Sequence, residues 1–526
     1  MVDHAAIRSL GDIVRAHGAE RADKVAFQFE GRSTTYGQLD RQTNQVARAL
    51  VAAGLKPGDR IAYLGKNSDH YFELLFGAAK AGVVMTPIGW RLAGPEIAYI
   101  LADSGARALF VGPEFLDVAE GLLTEGGPIE LAVAMEGERG LWRDYQAWRG
   151  AQPDADPAIA VGWEDVAIQL YTSGTTGRPK GAMLPHRALL ELRGVHARSD
   201  LGWNTWSSED VSLVAMPVAH IGGSGWGIMT LYNGAKGVVA REFDPHRVLD
   251  FIAEDRISKI FMVPAAMQIV VRHPRAAETD FSCLKYILYG ASPIPLELLK
   301  ECMGVFGCGF VQMYGMTETA GTIVALPPED HDPAGSPKMR SAGKALPGVE
   351  LAILDEAGNR LPPGEIGEIA TRSAANMAGY WNLPEASAAT LAADGWLRTG
   401  DAGYLDEDGY VFIHDRVKDM IISGGENVYP AEVENAIYGC PGVSEVAVIG
   451  VPDAKWGEAV KAVVVRGPGA ELSEADVVRW ARDRLAGFKT PKSVDFIDAL
   501  PRNASGKILR RELRAPYWAG VGREVN

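Results

Sequence analysis

The sequence predicts an α/β protein with a β-rich unit and an α+β tail, on three observations. Helical-period stretches alternate with short apolar runs through most of the first 340 residues, as in βα units around a largely parallel sheet. Between about 341 and 416, short alternating strands broken by Gly and Pro take over. After residue 416, helix and strand patterns mix within a compact stretch of about 110 residues.

In chain order, residues 36–55 have the helical period and 60–64 and 82–87 are short apolar strands. A Pro- and Asp-bearing stretch at 151–157 is read as the start of a second α/β unit, with strands at 167–171, 212–216, 259–263 and 286–289. The β-rich unit supplies strands at 349–354, 367–371 and 410–415, with few helices. In the tail, a helix is expected at 430–438 and a strand pair at 445–449 and 459–465. A further helix is opened by Ser473, with Asp476 three residues on. No repeat or low-complexity tract interrupts the chain.

Composition narrows the function classes. With 526 residues, 47% hydrophobic and 23% charged, the chain can bury a large core across several units and does not have a disordered profile. Its formal charge of −15 disfavours a non-specific partner of nucleic acid or anionic membrane, since both need a positive surface. Cys283, Cys302, Cys308 and Cys440 form no CxxC pair and no secreted disulfide framework, which fits a reducing compartment. The first ten residues lack an apolar signal core, and no run of about 18 apolar residues occurs, so a cytoplasmic protein without an integral membrane segment is expected.

The most informative stretch runs from Tyr171 through Thr172, Ser173, Gly174, Thr175, Thr176 and Gly177 to Lys180 and Gly181. Glycines let backbone N–H groups approach an anion, hydroxyls donate further bonds, and Lys180 adds a positive charge, so the segment suits phosphate oxygens. Lys180 is followed by Gly181, which separates it from the common phosphate loop. Composition alone leaves a flexible surface loop as the alternative. Glu318, after Tyr314 and Gly315, has the hard oxygens that Mg²⁺ prefers, or is an exposed loop acid. Asp401, in a Thr-Gly-Asp turn, suits two ribose hydroxyls or is plain turn chemistry.

This segment resembles the phosphate-loop signature of the adenylate-forming superfamily: acyl-CoA synthetases, adenylation domains and beetle luciferases. Four further stretches resemble that family's signatures in the same order: 312–319, 399–401, 415–430 and 501–507. The resemblance spans essentially the whole chain. It implies a large N-terminal domain, 1–417, of two α/β subdomains plus a small β-barrel-like one, and a small mobile α+β C-terminal domain, 418–526.

For the site, the resemblance implies that residues 172–177 and Lys180, with Gly290, Ala291, Ser292, Gln312, Met313, Tyr314, Gly315, Thr317, Asp401, Ile413, Arg416 and Lys507, bind ATP. Glu318 holds Mg²⁺, Thr317 and Glu318 serve catalysis, and Lys507 reaches into the adenylation site to stabilise developing charge. Lys418 matches the hinge. Gly424, Gly425, Trp456, Phe488 and Lys492 match coenzyme A contacts of aryl-CoA ligases, with Thr490 where those can carry arginine. His220 is placed near the acyl carboxylate, and His220, Trp226 and Gly315 line the acyl pocket; packed core roles are the alternatives for His220 and the tryptophans. Residues 479–514 carry net +6, which suits the coenzyme's phosphates or is an ordinary solvated face.

The activity so implied is an ATP-dependent acid:CoA ligase that uses Mg²⁺ and coenzyme A on a small hydrophobic carboxylic acid, fatty or aryl, through an acyl-adenylate. Alternatives are an adenylating enzyme that loads an acyl carrier protein, a nucleotide-binding regulatory protein without catalysis, and a luciferase-like oxygenase. Oligomeric state stays open, with a homodimer among the options.

Overall fold

A computed structural model describes residues 3–123, 129–172, 178–416, 419–424, 426–502 and 507–519, with Arg416 described by its backbone alone. Two large mixed sheets carry most of the first 380 residues. The first orders its strands Gly379–Tyr380, Lys180–Pro185, Val166–Thr172, Val84–Ile88, Arg60–Leu64, Ala106–Val111, Leu131–Ala134 and Arg143–Asp144. The second runs Lys344–Ala345, Gly321–Leu326, Gly309–Met316, Tyr286–Gly290, Lys259–Met262, Val211–Val214, Lys236–Val239, Val25–Phe29 and Arg32–Thr35. Both are parallel through the middle, the first antiparallel at one end and the second at both, so their central strands are apolar on both faces and helices cover them.

The stretch at 151–157 is not a seam between two α/β units. Strands 25–35 join the second sheet, strands 60–185 the first, strands 211–345 the second again, and Gly379–Tyr380 returns to the first, so the chain crosses between these sheets three times. A dip in hydrophobicity marks a loop, whereas sheet membership is decided by which distant strand completes a ladder.

Local signals hold within each sheet. Helix Tyr36–Ala52 starts where Thr35 and Gln38 satisfy each other's backbone N–H groups, and it buries Leu39, Val46, Ala47 and Leu50. It ends three residues short of the expected 55. The β-rich unit is a four-stranded antiparallel sheet of Val349–Leu354, Gly367–Ser373, Leu397–Leu405 and Val411–Arg416, with an unexpected helix at Pro384–Thr390.

Beyond residue 419, five strands form a sheet of their own, with Val443–Asp453 and Gly457–Arg466 longer than expected. Helix Pro430–Tyr438 lies where the sequence puts it. Helix Glu474–Arg482 is opened by the predicted Ser473–Asp476 capping box. This unit has a separate core built on Val433, Ile437, Val448, Val460 and Val477. Among the described residues, no helix is long and apolar enough to cross a membrane.

Three buried histidines tie the large unit to neutral pH. His17, His186 and His196 are each pushed down to about 4, chiefly by burial. His186 accepts the Leu10 N–H through Nδ1 at 3.1 Å, a bond that only the neutral ring can make. Their folded pKa lies below the unfolded value near 6.5, so their contribution is complete above pH 6.5 and is lost as pH falls toward 4. The thermal midpoint is expected to drop between pH 7 and pH 5, and His186→Gln is expected to flatten that drop.

Candidate active site

The antiparallel pair Val166–Thr172 and Lys180–Pro185 brings Thr172 opposite Lys180, and the connecting residues Ser173, Gly174, Thr175, Thr176 and Gly177 lie outside the described residues. Thr172 Oγ1 donates to Glu318 Oε1 at 3.4 Å, so the two predicted positions meet. Glu318, 5% exposed, sits with Thr317 in the short turn Thr317–Thr319 that follows strand Gly309–Met316. The sequence reading missed Tyr380, whose hydroxyl donates to the same Glu318 oxygen at 2.8 Å while its ring lies 5.0 Å from Lys180 Nζ. No motif surrounds Tyr380; it arrives through the two-residue strand Gly379–Tyr380 paired to Ala182 and Met183.

One carboxylate held by two hydroxyls, beside a lysine, fits Mg²⁺ bound jointly by protein and phosphate oxygens. Mg²⁺ keeps several non-protein ligands and needs few carboxylates. Among the described residues, no group of three or more His, Cys, Asp or Glu offers a cage by itself.

Strand Gly309–Met316 forms the adjoining wall. Gln312 and Met313 pair with Tyr289 and Gly290, and the chain then turns through Ala291, at φ +67°, and Ser292. A non-glycine residue in that region is strained, and such positions concentrate at functional sites. Two residues past Gln312, on the same face of the strand, Tyr314 donates its hydroxyl to Asp401 Oδ2 at 2.7 Å. Asp401, buried, pairs in register with Arg416, and Ile413 packs with Tyr314 against the same apolar cluster. At Gly315 a Cβ would lie 1.9 Å from the Gly321 carbonyl oxygen. Gly315→Ala is expected to cost about 1–3 kcal/mol and to lower the thermal midpoint, because backbone must move.

His220 precedes helix Ile221–Tyr232, and its Nε2 is buried without a hydrogen-bond partner among the described residues. Burial, and then Arg91, push its pKa down to about 4, leaving a neutral ring with an open nitrogen. Trp226, five positions past Ile221, is buried; its indole N–H donates to the Leu213 carbonyl at 3.1 Å and its ring lies 5.5 Å from Trp206 and 6.2 Å from Phe261. It is part of a packed aromatic group.

The tail unit closes over this wall. Lys507 shares a cleft of about 130 Å³ with Ser292 and Pro293 of the large unit. Three residues on, Arg510 forms a buried cluster that sequence reading missed. Its Nη1 donates to Asp415 at 3.0 Å and its Nη2 to both oxygens of Glu434 at 2.9 and 2.8 Å, with Asp419 3.7 Å away. Burial opposes the cation, but Glu434, Asp415 and Asp419 outweigh it and raise the guanidinium pKa. Lys418, between Asp415 and Asp419, is outside the described residues.

Gly424, at φ +64°, stacks against Trp456, where a Cβ would meet Cε3 at 2.7 Å. Trp456 is 40% and Phe488 37% exposed, unusual for such large rings. Lys492 is exposed and donates to the Gly487 carbonyl at 2.8 Å; Thr490 is buried, with its hydroxyl on the Ala486 carbonyl. Gly425 is outside the described residues.

Residues 14–381 match the AMP-binding enzyme family, and residues 432–507 match the AMP-binding enzyme C-terminal domain. The chain belongs to the AMP-binding enzyme family. It is an AMP-forming ligase of the acyl-CoA synthetase kind, within the adenylate-forming superfamily. It is 45% identical over 99% of both chains to a fatty acid–[acyl-carrier-protein] ligase of Streptomyces coeruleorubidus. It is 42% identical to a feruloyl-CoA synthase of an Amycolatopsis species, over 94% of this chain and 96% of that one. ATP-bound MatB from Rhodopseudomonas palustris superposes with a TM-score of 0.86 at 33% identity, covering 98% of this chain and all of the other. These neighbours share the large N-terminal and small C-terminal domain arrangement.

Proposed function

We propose that this AMP-binding enzyme converts a hydrophobic carboxylic acid, fatty or aryl, to its coenzyme A thioester in two half-reactions. The observation that carries the reading is Lys507 of the tail unit, lining one cleft with Ser292 and Pro293 of the large unit. In the first half-reaction the acid carboxylate attacks the α-phosphorus of ATP, forming the C–O–P anhydride and expelling pyrophosphate. Residues 172–177 and Lys180 bind the phosphates, Asp401 the ribose, and Lys507 neutralises charge on the attacked phosphate. Glu318 would hold Mg²⁺, whose chemistry there would be further charge neutralisation. His220, neutral and with Nε2 unpartnered, faces the acid.

In the second half-reaction the tail unit turns about Lys418, within a boundary at 417–418, and withdraws Lys507. The thiolate of the coenzyme attacks the acyl carbon and AMP leaves. The left-handed Gly424 against the exposed Trp456, with Phe488 and Lys492, supports a pantetheine path on this face. A second reading, delivery to a carrier-protein phosphopantetheine, is favoured by the 45% identity to a carrier-protein ligase.

AMP formation with ATP and Mg²⁺ across fatty acids, benzoates and cinnamates, with free coenzyme A or with a phosphopantetheinylated carrier protein, separates the two. Coenzyme-dependent turnover of one acid class is expected; turnover with the carrier alone favours the second reading. Trp456→Ala is expected to raise KM for the coenzyme about tenfold while leaving acyl-adenylate formation unchanged.

A further inference from the structure

Beside the strand pair Tyr286–Gly290 and Gly309–Met316, whose ends the resemblance assigns to ATP, lies a chain of three polar side chains whose protons can be counted. His331 Nδ1 is 2.9 Å from the Pro327 carbonyl oxygen, which only accepts, so Nδ1 carries the proton. His331 is 9% exposed, and burial lowers its pKa despite Asp330. The Asp330 carboxylate is already taken by Lys338 at 3.1 Å and the Tyr410 hydroxyl at 2.8 Å. The ring is therefore neutral and its Nε2 is an acceptor. Among the described residues, the group that Nε2 reaches is the Tyr289 hydroxyl at 3.0 Å, which must spend its single proton there.

That leaves the Tyr289 oxygen able only to accept from Gln312, although the atom of Gln312 that faces it at 3.2 Å is Oε1, itself an acceptor. The two ends of a side-chain amide have the same shape, and the hydrogen-bond network decides which faces inward. Here it must be the NH₂. The outer end of Gln312 makes no hydrogen bond among the described residues, and it shares a strand face with Tyr314, whose hydroxyl reaches Asp401.

We infer that Tyr289 and His331 lock the Gln312 amide with its carbonyl oxygen toward the base, making the pair a positioning device that selects a 6-aminopurine over a 6-oxopurine. An outward carbonyl accepts from the exocyclic amine of adenine and repels the 6-oxygen of hypoxanthine or guanine. Tyr289 and His331 act through Gln312. The inference rests on the assignment of this wall to ATP.

Calorimetric binding of AMP and of inosine monophosphate to the full chain tests it without any acid substrate. The wild type is expected to bind AMP at least tenfold more tightly than inosine monophosphate. Tyr289→Phe and His331→Leu are expected to reduce that ratio to threefold or less. His331→Gln is expected to keep it, because a glutamine carbonyl can accept from Tyr289 while its NH₂ donates to Pro327. A ratio unchanged in Tyr289→Phe, or lost as fully in His331→Gln as in His331→Leu, overturns the inference. Failure of the wild type to bind either nucleotide overturns the ATP assignment itself, and the inference with it.

Discussion

Lys507→Ala is expected to slow acyl-adenylate formation by about 10²–10³-fold, the loss that follows removal of one group stabilising transition-state charge, roughly 2.7–4 kcal/mol. Thioester formation from supplied acyl-adenylate is expected to stay within about twofold of wild type, because in that step the tail unit has carried Lys507 away. The split between half-reactions is the diagnostic. A general weakening of the fold would depress both, and equal loss in both steps would remove Lys507 from its assigned role. Lys418→Pro is the complement: it restricts backbone rotation, so the second step is expected to fail while the first survives.

Arg510→Met is expected to have the largest effect on stability. The guanidinium side chain is 14% exposed, and its partners Asp415, Asp419 and Glu434 are 5%, 13% and 16% exposed, so the substitution removes a shared cation from three carboxylates with little water, of which Asp419 keeps Arg514 at 3.3 Å. Removing one partner of a buried ion pair costs about 3–5 kcal/mol. Asp415 also accepts the Ala431 N–H at 3.0 Å, and Glu434 the Val448 N–H at 2.8 Å, so the loss reaches helix Pro430–Tyr438 and the strand behind it. Proteolysis or hydrogen exchange should show the tail unit opening before the large one. Arg510→Lys should recover only part of the loss, since an ammonium cannot span both Glu434 oxygens. Because Asp415 precedes the expected hinge and Arg510 follows Lys507 closely, adenylation should weaken as well.

Parts of the candidate site's geometry are legible because the residues lie in short contiguous motifs. Thr172 and Glu318, and likewise Tyr314 and Asp401, were assigned from sequence and meet at hydrogen-bond distance. The capping box at Ser473 and helix Pro430–Tyr438 are local signals and were read correctly. What was hidden is tertiary. Tyr380 reaches Glu318 across 62 positions, and His331 reaches Tyr289 across 42; nothing in the flanking residues of either announces the contact. Arg510 and Asp415 both fall inside or beside recognised motifs, yet spacing alone does not say that they pair across 95 positions. Likewise, the assignment of strands 25–35 and 166–185 to opposite sheets depends on ladder partners far away in sequence.

The most direct test of the account is acid-dependent exchange of labelled pyrophosphate into ATP with the whole chain, Mg²⁺ and no coenzyme A. Exchange that requires the acid, persists without any thiol and collapses in Lys507→Ala is the predicted result. Thioester formation without such exchange, or with ADP in place of AMP, would contradict an acyl-adenylate and with it the roles assigned to Lys507, Glu318 and Asp401.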